Sequence, residues 1–174
     1  MKEKEYGMYS KEIMKNFLHP KFSGKLKDPS GVGNAGNLIC GDVMEVFIKV
    51  KENKKTGRKI ISDIRFQTFG CVVAIANSSM IATMAKGKTL EEALKIKKDD
   101  VLKKLGSVPP IKIHCSVLAV DALDEAIYDY MTKKELKIPE ELKKTHERIQ
   151  KGLQDIEHRH REYFKLEKEI YGKK

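Results

Sequence analysis

The 174-residue chain has no tryptophan, only three cysteines and no CxxC pair. It also has no apolar run approaching the roughly 18 residues that a membrane-spanning helix needs. Each absence excludes something. Without long apolar runs there is no helical membrane domain. Without CxxC the common zinc knuckle and ribbon patterns are unavailable. An odd number of cysteines argues against a disulfide framework and for metal or redox chemistry in a reducing compartment. The first residues, MKEKEYGMYSKEIMKNF, are charged and amphipathic and lack the apolar centre of a secretion signal, so a cytoplasmic protein is expected. The formal net charge of +10 invites a nucleic-acid reading. The lysines, however, are scattered over loops and helix faces, and no aromatic stacking motif accompanies them. A solvated basic surface, or an acidic protein partner, accounts for the charge more economically.

What is present is a soluble composition, 40% hydrophobic and 34% charged, sized for one domain with an appendage. Ser10 is placed to cap a short helix with Ile13, Met14, Phe17 and Leu18 on one face, stopped by Pro20. Residues 21–39, rich in glycine, proline and asparagine, read as irregular chain with room for a short strand. Two β-rich runs follow, Asp42 to Val50 and Ile60 to Phe69, joined by a long polar loop from Lys51 to Lys59, and predict an antiparallel hairpin. Val72 to Ala85 carries no charge on any face, as expected of a buried helix lying across the sheet. Thr89 and Glu92 have capping-box spacing, and Asp99–Asp100 open another short helix ending at Gly106. Pro109–Pro110 predict an extended segment before a helix from Cys115 to Met131, with Val117, Leu118, Val120, Leu123, Ile127 and Tyr130 buried.

The expected fold class is α+β: a small antiparallel sheet of about three strands with helices packed on one face. The domain is expected over residues 1–133, with a helical extension over 134–174. Pro139 suits the first turn of that last helix. Leu142, Ile149, Ile156, Tyr163 and Ile170 recur every seven residues, but Thr145, Gly152, Arg159 and Leu166 three positions on do not complete a coiled-coil seam. The helix is expected to lie on the domain or on another copy, which makes a homo-oligomer one possible state. His146, His158 and His160 read as a solvated face before they read as a metal site.

The candidate chemistry lies in three stretches: Cys40-Gly41-Asp42, Phe69-Gly70-Cys71 and His114-Cys115. Cys71 at a strand-to-helix turn and Cys115 at a helix start both sit where free N–H groups favour thiolate, the nucleophile and the metal ligand. Gly41 is read as allowing close backbone approach. Asp42 reaches the same side as Cys40 if the chain is extended there. His114 adds a nitrogen ligand. A single cysteine could equally be a small buried hydrophobe. Three at element boundaries, with ionisable neighbours, point to a metal site or a transferable sulfur.

These stretches, with their surroundings, resemble something more specific. Cys40-Gly41-Asp42-Val43-Met44, Phe66 to Cys71 with Ala74-Ile75-Ala76 and Ser78-Ser79, and Pro109 to Ser116 are similar to the three signatures of IscU-type iron–sulfur cluster scaffolds. That family includes the N-terminal domain of NifU. The likeness runs from about Tyr9 to Tyr130. It implies a scaffold and not a turnover enzyme, one that accepts sulfur from a cysteine desulfurase and iron, assembles a labile 2Fe–2S cluster, and passes it to recipient apo-proteins. It implies Cys40, Cys71 and Cys115 as cluster cysteines, Asp42 or His114 as the fourth ligand, and Cys115 as persulfide acceptor. Tyr9 matches an N-terminal tyrosine of the family. Val108-Pro109-Pro110-Ile111-Lys112 resembles the docking segment for a DnaK-type chaperone and its co-chaperone. Val72-Val73 replaces a smaller pair, and Val108 and Ile111 replace Leu and Val. Zinc is the alternative occupant, in a sulfur carrier of the SufU kind, although the insertion associated with that branch is not evident. A cysteine hydrolase on Cys115, His114 and Asp42 leaves two cysteines unexplained.

Overall fold

The computed structural model describes residues 8–36 and 41–171, except for the side chains at 160, 163, 164 and 166–171. Cys40 and the side chains of His160, Tyr163, Leu166 and Ile170 therefore lie outside the described residues. Helix α1 (Lys11–Leu18) starts as expected, with Ser10 Oγ accepting from the Ile13 amide at 3.1 Å. Its buried face differs from the expectation. Ile13 and Asn16 are inside while Leu18 is 51% exposed. The reason is the helix Val72–Ala85, whose Ser79 hydroxyl donates to Asn16 Oδ1 at 2.8 Å and draws that polar side chain inward.

Strands β1 (Gly31–Gly36), β2 (Val43–Glu52) and β3 (Lys59–Phe69) form one antiparallel sheet in that order. The hairpin is present, but its loop is shorter than the sequence suggests, residues 53–58, because the ladder runs out to Glu52 and Lys59. Met44, Val46 and Ile48 of β2, with Ile64 and Phe66 of β3, alternate onto one face and form the centre of the core.

Helix α2 (Val72–Ala85) packs on β3 and α1. Helix α3 (Leu90–Ala93) begins at the capping box of Thr89 and Glu92, and α4 (Lys98–Leu105) ends at Gly106. Pro109 is extended, but Pro110–Lys112 close a 3-10 turn where the two prolines predicted extended chain. A proline restrains the residue before it, not those after it. Helix α5 (His114–Lys133) lies along β1 and β2. It is buried almost all round from Cys115 to Ile127, with Val117 only half-buried. The wider burial has a simple source: α6 (Glu140–Tyr171) covers its other side. Leu142 and Ile149 of α6 are buried in the same molecule. No helix among the described residues is long and apolar enough to cross a membrane.

Candidate metal-binding site

Four of the five candidate residues are described, and three of them, Asp42, Cys71 and Cys115, converge on one carboxylate oxygen. Cys71 is the N-cap of α2, Cys115 lies in the first turn of α5, and Asp42 immediately precedes β2. The Cys71 and Cys115 Sγ atoms are 3.8 Å apart. The Cys115 thiol donates to Asp42 Oδ2 at 3.2 Å, and Cys71 Sγ lies 3.9 Å from the same oxygen. Two thiolates on one tetrahedral metal at about 2.3 Å stand roughly 3.8 Å apart, so this sulfur spacing suits a shared metal. One ligand atom each from Asp42, His114 and Cys115 lies within 4.8 Å of the others. His114 Nε2 is buried with no hydrogen-bond partner. A buried, orphaned ring nitrogen beside a thiol and a carboxylate is a donor set that fits a metal ion.

The seat of Asp42 is tight. A methyl on Gly70 would lie 2.9 Å from Asp42 Cγ and Oδ1. Gly41 has φ +70 with open space where a Cβ would be, so its role is the left-handed turn and not close approach.

The electrostatics correct a second expectation. Cys115 is fully buried, and burial first, then the Asp42 carboxylate and Cys71, push its thiol well above the usual range. The helix start does not win, because desolvation of a buried thiolate beside a carboxylate outweighs a terminal dipole. Metal binding must then displace a proton. In metal-free protein, Asp42→Ala is expected to move the pH profile of iodoacetamide labelling at Cys115, read by peptide mass, to lower pH. A fall of one pKa unit means about tenfold faster labelling at fixed pH. An unchanged profile would show that Asp42 has no part in holding that proton.

Val73, Ala74 and Cys115 form a small buried cluster covered by Tyr9, Val108 and Cys71. Val73, in the pair that replaces a smaller one, is buried as part of this wall. In the proline segment, Val108 faces this cluster and Ile111 is 78% exposed. Among the described residues His146 belongs to no metal-ligating group; its Nδ1 lies 2.9 Å from Glu125 and its ring stacks on Tyr128 at 3.8 Å. His158 is exposed.

Sequence reading missed a stripe of buried acids on α5. Asp121 takes both Arg148 nitrogens at 2.8 and 3.0 Å, and Glu125 takes His146 and Gln150. Asp124 is buried with Oδ1 unpartnered. The available signal was acids three and four residues apart on an apolar helix, followed by a basic helix.

Fold and site together define a small α+β domain that holds thiols and a carboxylate at one end of its sheet. Residues 8–137 match the family described as NifU-like N terminal domain, and the chain belongs to that family. It is 50% identical over 155 residues to the iron–sulfur cluster assembly scaffold protein IscU 1 of Archaeoglobus fulgidus, covering 85% of this chain and 95% of that one. It is 46% identical over 131 residues to the scaffold protein IscU of Azotobacter vinelandii, covering 74% and 98%. A NifU-like N-terminal structure from Brucella abortus shares the fold at TM-score 0.59 and 21% identity, over 72% of this chain and 96% of that one.

Proposed function

We propose that this chain is an iron–sulfur cluster assembly scaffold. It takes sulfur from a cysteine desulfurase, takes iron, builds a labile 2Fe–2S cluster on Cys40, Cys71 and Cys115 with Asp42 or His114, and passes it to apo-proteins. The observation that carries the reading is the convergence of two thiols 3.8 Å apart on one carboxylate oxygen, with an unpartnered histidine nitrogen alongside. Thiolates suit iron–sulfur chemistry, whereas a carboxylate is a hard ligand, and that mismatch keeps the cargo exchangeable.

Sulfur arrives by exchange. The Cys115 thiolate attacks the outer sulfur of the donor's persulfide, the donor S–S bond breaks, and the donor thiolate leaves. Reduction of that sulfane sulfur to sulfide takes two electrons from an external reductant. Because Cys115 is buried under Tyr9 and Val108, loading requires that cover to move. The exposure of Ile111 supports taking Val108–Lys112 as the docking segment for a DnaK-type chaperone and its co-chaperone.

Anaerobic reconstitution with iron and sulfide, followed by visible absorption and iron and sulfide content, tests the reading. Wild type is expected to form a cluster, Cys40→Ser, Cys71→Ser and Cys115→Ser to lose it, and Asp42→Ala to change its lifetime. A tetrahedral set of the same residues also suits zinc. Tight zinc and persulfide loading without any cluster would make the protein a sulfur carrier instead.

A further inference from the structure

The family match ends at residue 137 and α6 starts at Glu140, so α6 lies beyond the matched domain. Its register against that domain is pinned by polar and apolar contacts together. Arg148 grips Asp121 with both terminal nitrogens, while His146 and Gln150 both meet Glu125. Ile149 is buried between them in sequence. Leu153 and Ile156 follow at four and seven residues, on the same helical stripe.

That stripe runs over the end of β1. A methyl on Gly36 would lie 2.9 Å from Ile156 Cδ1 and 3.3 Å from Leu153 Cδ2. The two side chains of α6 therefore occupy the volume that a side chain on this strand residue would take. Gly36 pairs with Val43 in the β1–β2 register, and the Val43 carbonyl accepts from Thr68 Oγ1 at 2.8 Å. The next residue back is Asp42, on whose carboxylate both thiols converge. The end of the sheet that presents Asp42 is thus held by β3 on one side and by α6, through Gly36, on the other.

We propose that Leu153 and Ile156 are positioning residues for the site: α6 braces the β1–β2 end and so sets how long cargo is retained there. The cargo half rests on the scaffold reading above. The brace half does not. Truncating both side chains leaves the strand end unsupported, Asp42 withdraws more often, and the weakest ligand is the first to let go.

The test uses the full chain with Leu153→Ala/Ile156→Ala, and with Ile156→Val as the conservative variant. Hydrogen exchange is read on metal-free protein, and chelator-driven iron release on reconstituted protein. The double variant is expected to speed exchange about tenfold at Ala35, Gly36, Val43 and Met44, with Val46 to Ile48 unchanged. Iron release should rise several-fold, and Ile156→Val should restore most of both. Acceleration spread evenly over the sheet, or fast local exchange with wild-type iron release, overturns the proposal. Unchanged exchange in a protein that loads normally sinks the brace alone. A wild type that takes up neither iron nor sulfide sinks the scaffold reading, and with it the cargo half.

Discussion

Alanine at position 33 is expected to cost more than about 4 kcal/mol, enough to leave much of the protein unfolded. A methyl there would stand 2.2 Å from the Ala122 carbonyl oxygen and 2.2 Å from the Ala126 amide nitrogen, with the Glu125 carbonyl carbon at 2.8 Å. All three are backbone atoms of α5, so no rotamer change relieves the overlap. Either α5 lifts from β1, or the strand bends away from β2. Overpacking against side chains typically costs about 1–3 kcal/mol, and a helix backbone yields less. The loss should also reach the site, because the same helix carries Cys115. Urea denaturation followed by circular dichroism checks this. Gly57→Ala is the comparison, since Gly57 has φ +67 but open space around it, and alanine there should cost about 1 kcal/mol. If the two variants unfold at similar urea concentrations, α5 does not rest on the β1 backbone as described.

Asp124→Asn is expected to stabilise the protein, and only at higher pH. Burial first, and then the neighbouring acids Asp121 and Glu125, push the Asp124 carboxyl from 3.8 to about 7, against the opposing pull of Lys97 and Arg148. A folded-state value above the unfolded one means that the folded protein holds its proton longer. No penalty exists below pH 4, where the group is protonated in both states. It grows as pH rises from about 4 to about 7, then stays constant. A shift of that size has an upper bound of about 4 kcal/mol, reduced by whatever water reaches the carboxylate. The difference in unfolding free energy between the Asp124→Asn variant and the wild type should be near zero at pH 4 and reach its plateau by pH 8. A difference independent of pH would mean that the carboxylate ionises freely, through a water or a counter-ion at Oδ1.

Why should a folded protein carry such a group? Asp124 follows directly from the arrangement of the stripe it belongs to. Asp121 and Glu125 on either side find Arg148 and His146 on α6, whereas Asp124 faces a cavity of about 540 Å³ bordered by Leu94, Lys97, Leu142 and Thr145. Lys97 is the largest opposing charge, and it is exposed. The stripe therefore clamps α6 at two of its three positions and leaves the Oδ1 of the third without a hydrogen-bond partner.

Much of the secondary structure was legible because it depends on local chemistry. The Ser10 cap, the Thr89–Glu92 box and the uncharged run Val72–Ala85 each state their own element, with no knowledge of neighbours. The alternation Met44, Val46, Ile48 likewise announces one buried face. It fails on β3, where Ile61 and Ile64 are both buried three residues apart. The ladder shifts between Lys49 and Val50, leaving Ser62 as the extra residue, and its hydroxyl donates to the Lys49 carbonyl at 3.0 Å. A bulge of this kind belongs to a strand pair, so neither strand's pattern alone contains it.

The same division holds at the site. Which residues are candidates for the chemistry was legible in the sequence alone: Cys71 and Cys115 at element starts, with Asp42 and His114 beside glycine and cysteine. Their protonation was not. A helix start promises a thiolate at Cys115, but burial and the Asp42 carboxylate, brought in from 73 residues away, hold the thiol instead. Ile156 shows the same limit, since its heptad stripe was visible but its partner, Gly36, was not. Residue identity and local propensity are properties of the chain. Solvent exclusion and the distance between remote groups exist only once the sheet, α5 and α6 have come together, and these decide which donor keeps its proton and which strand end is held.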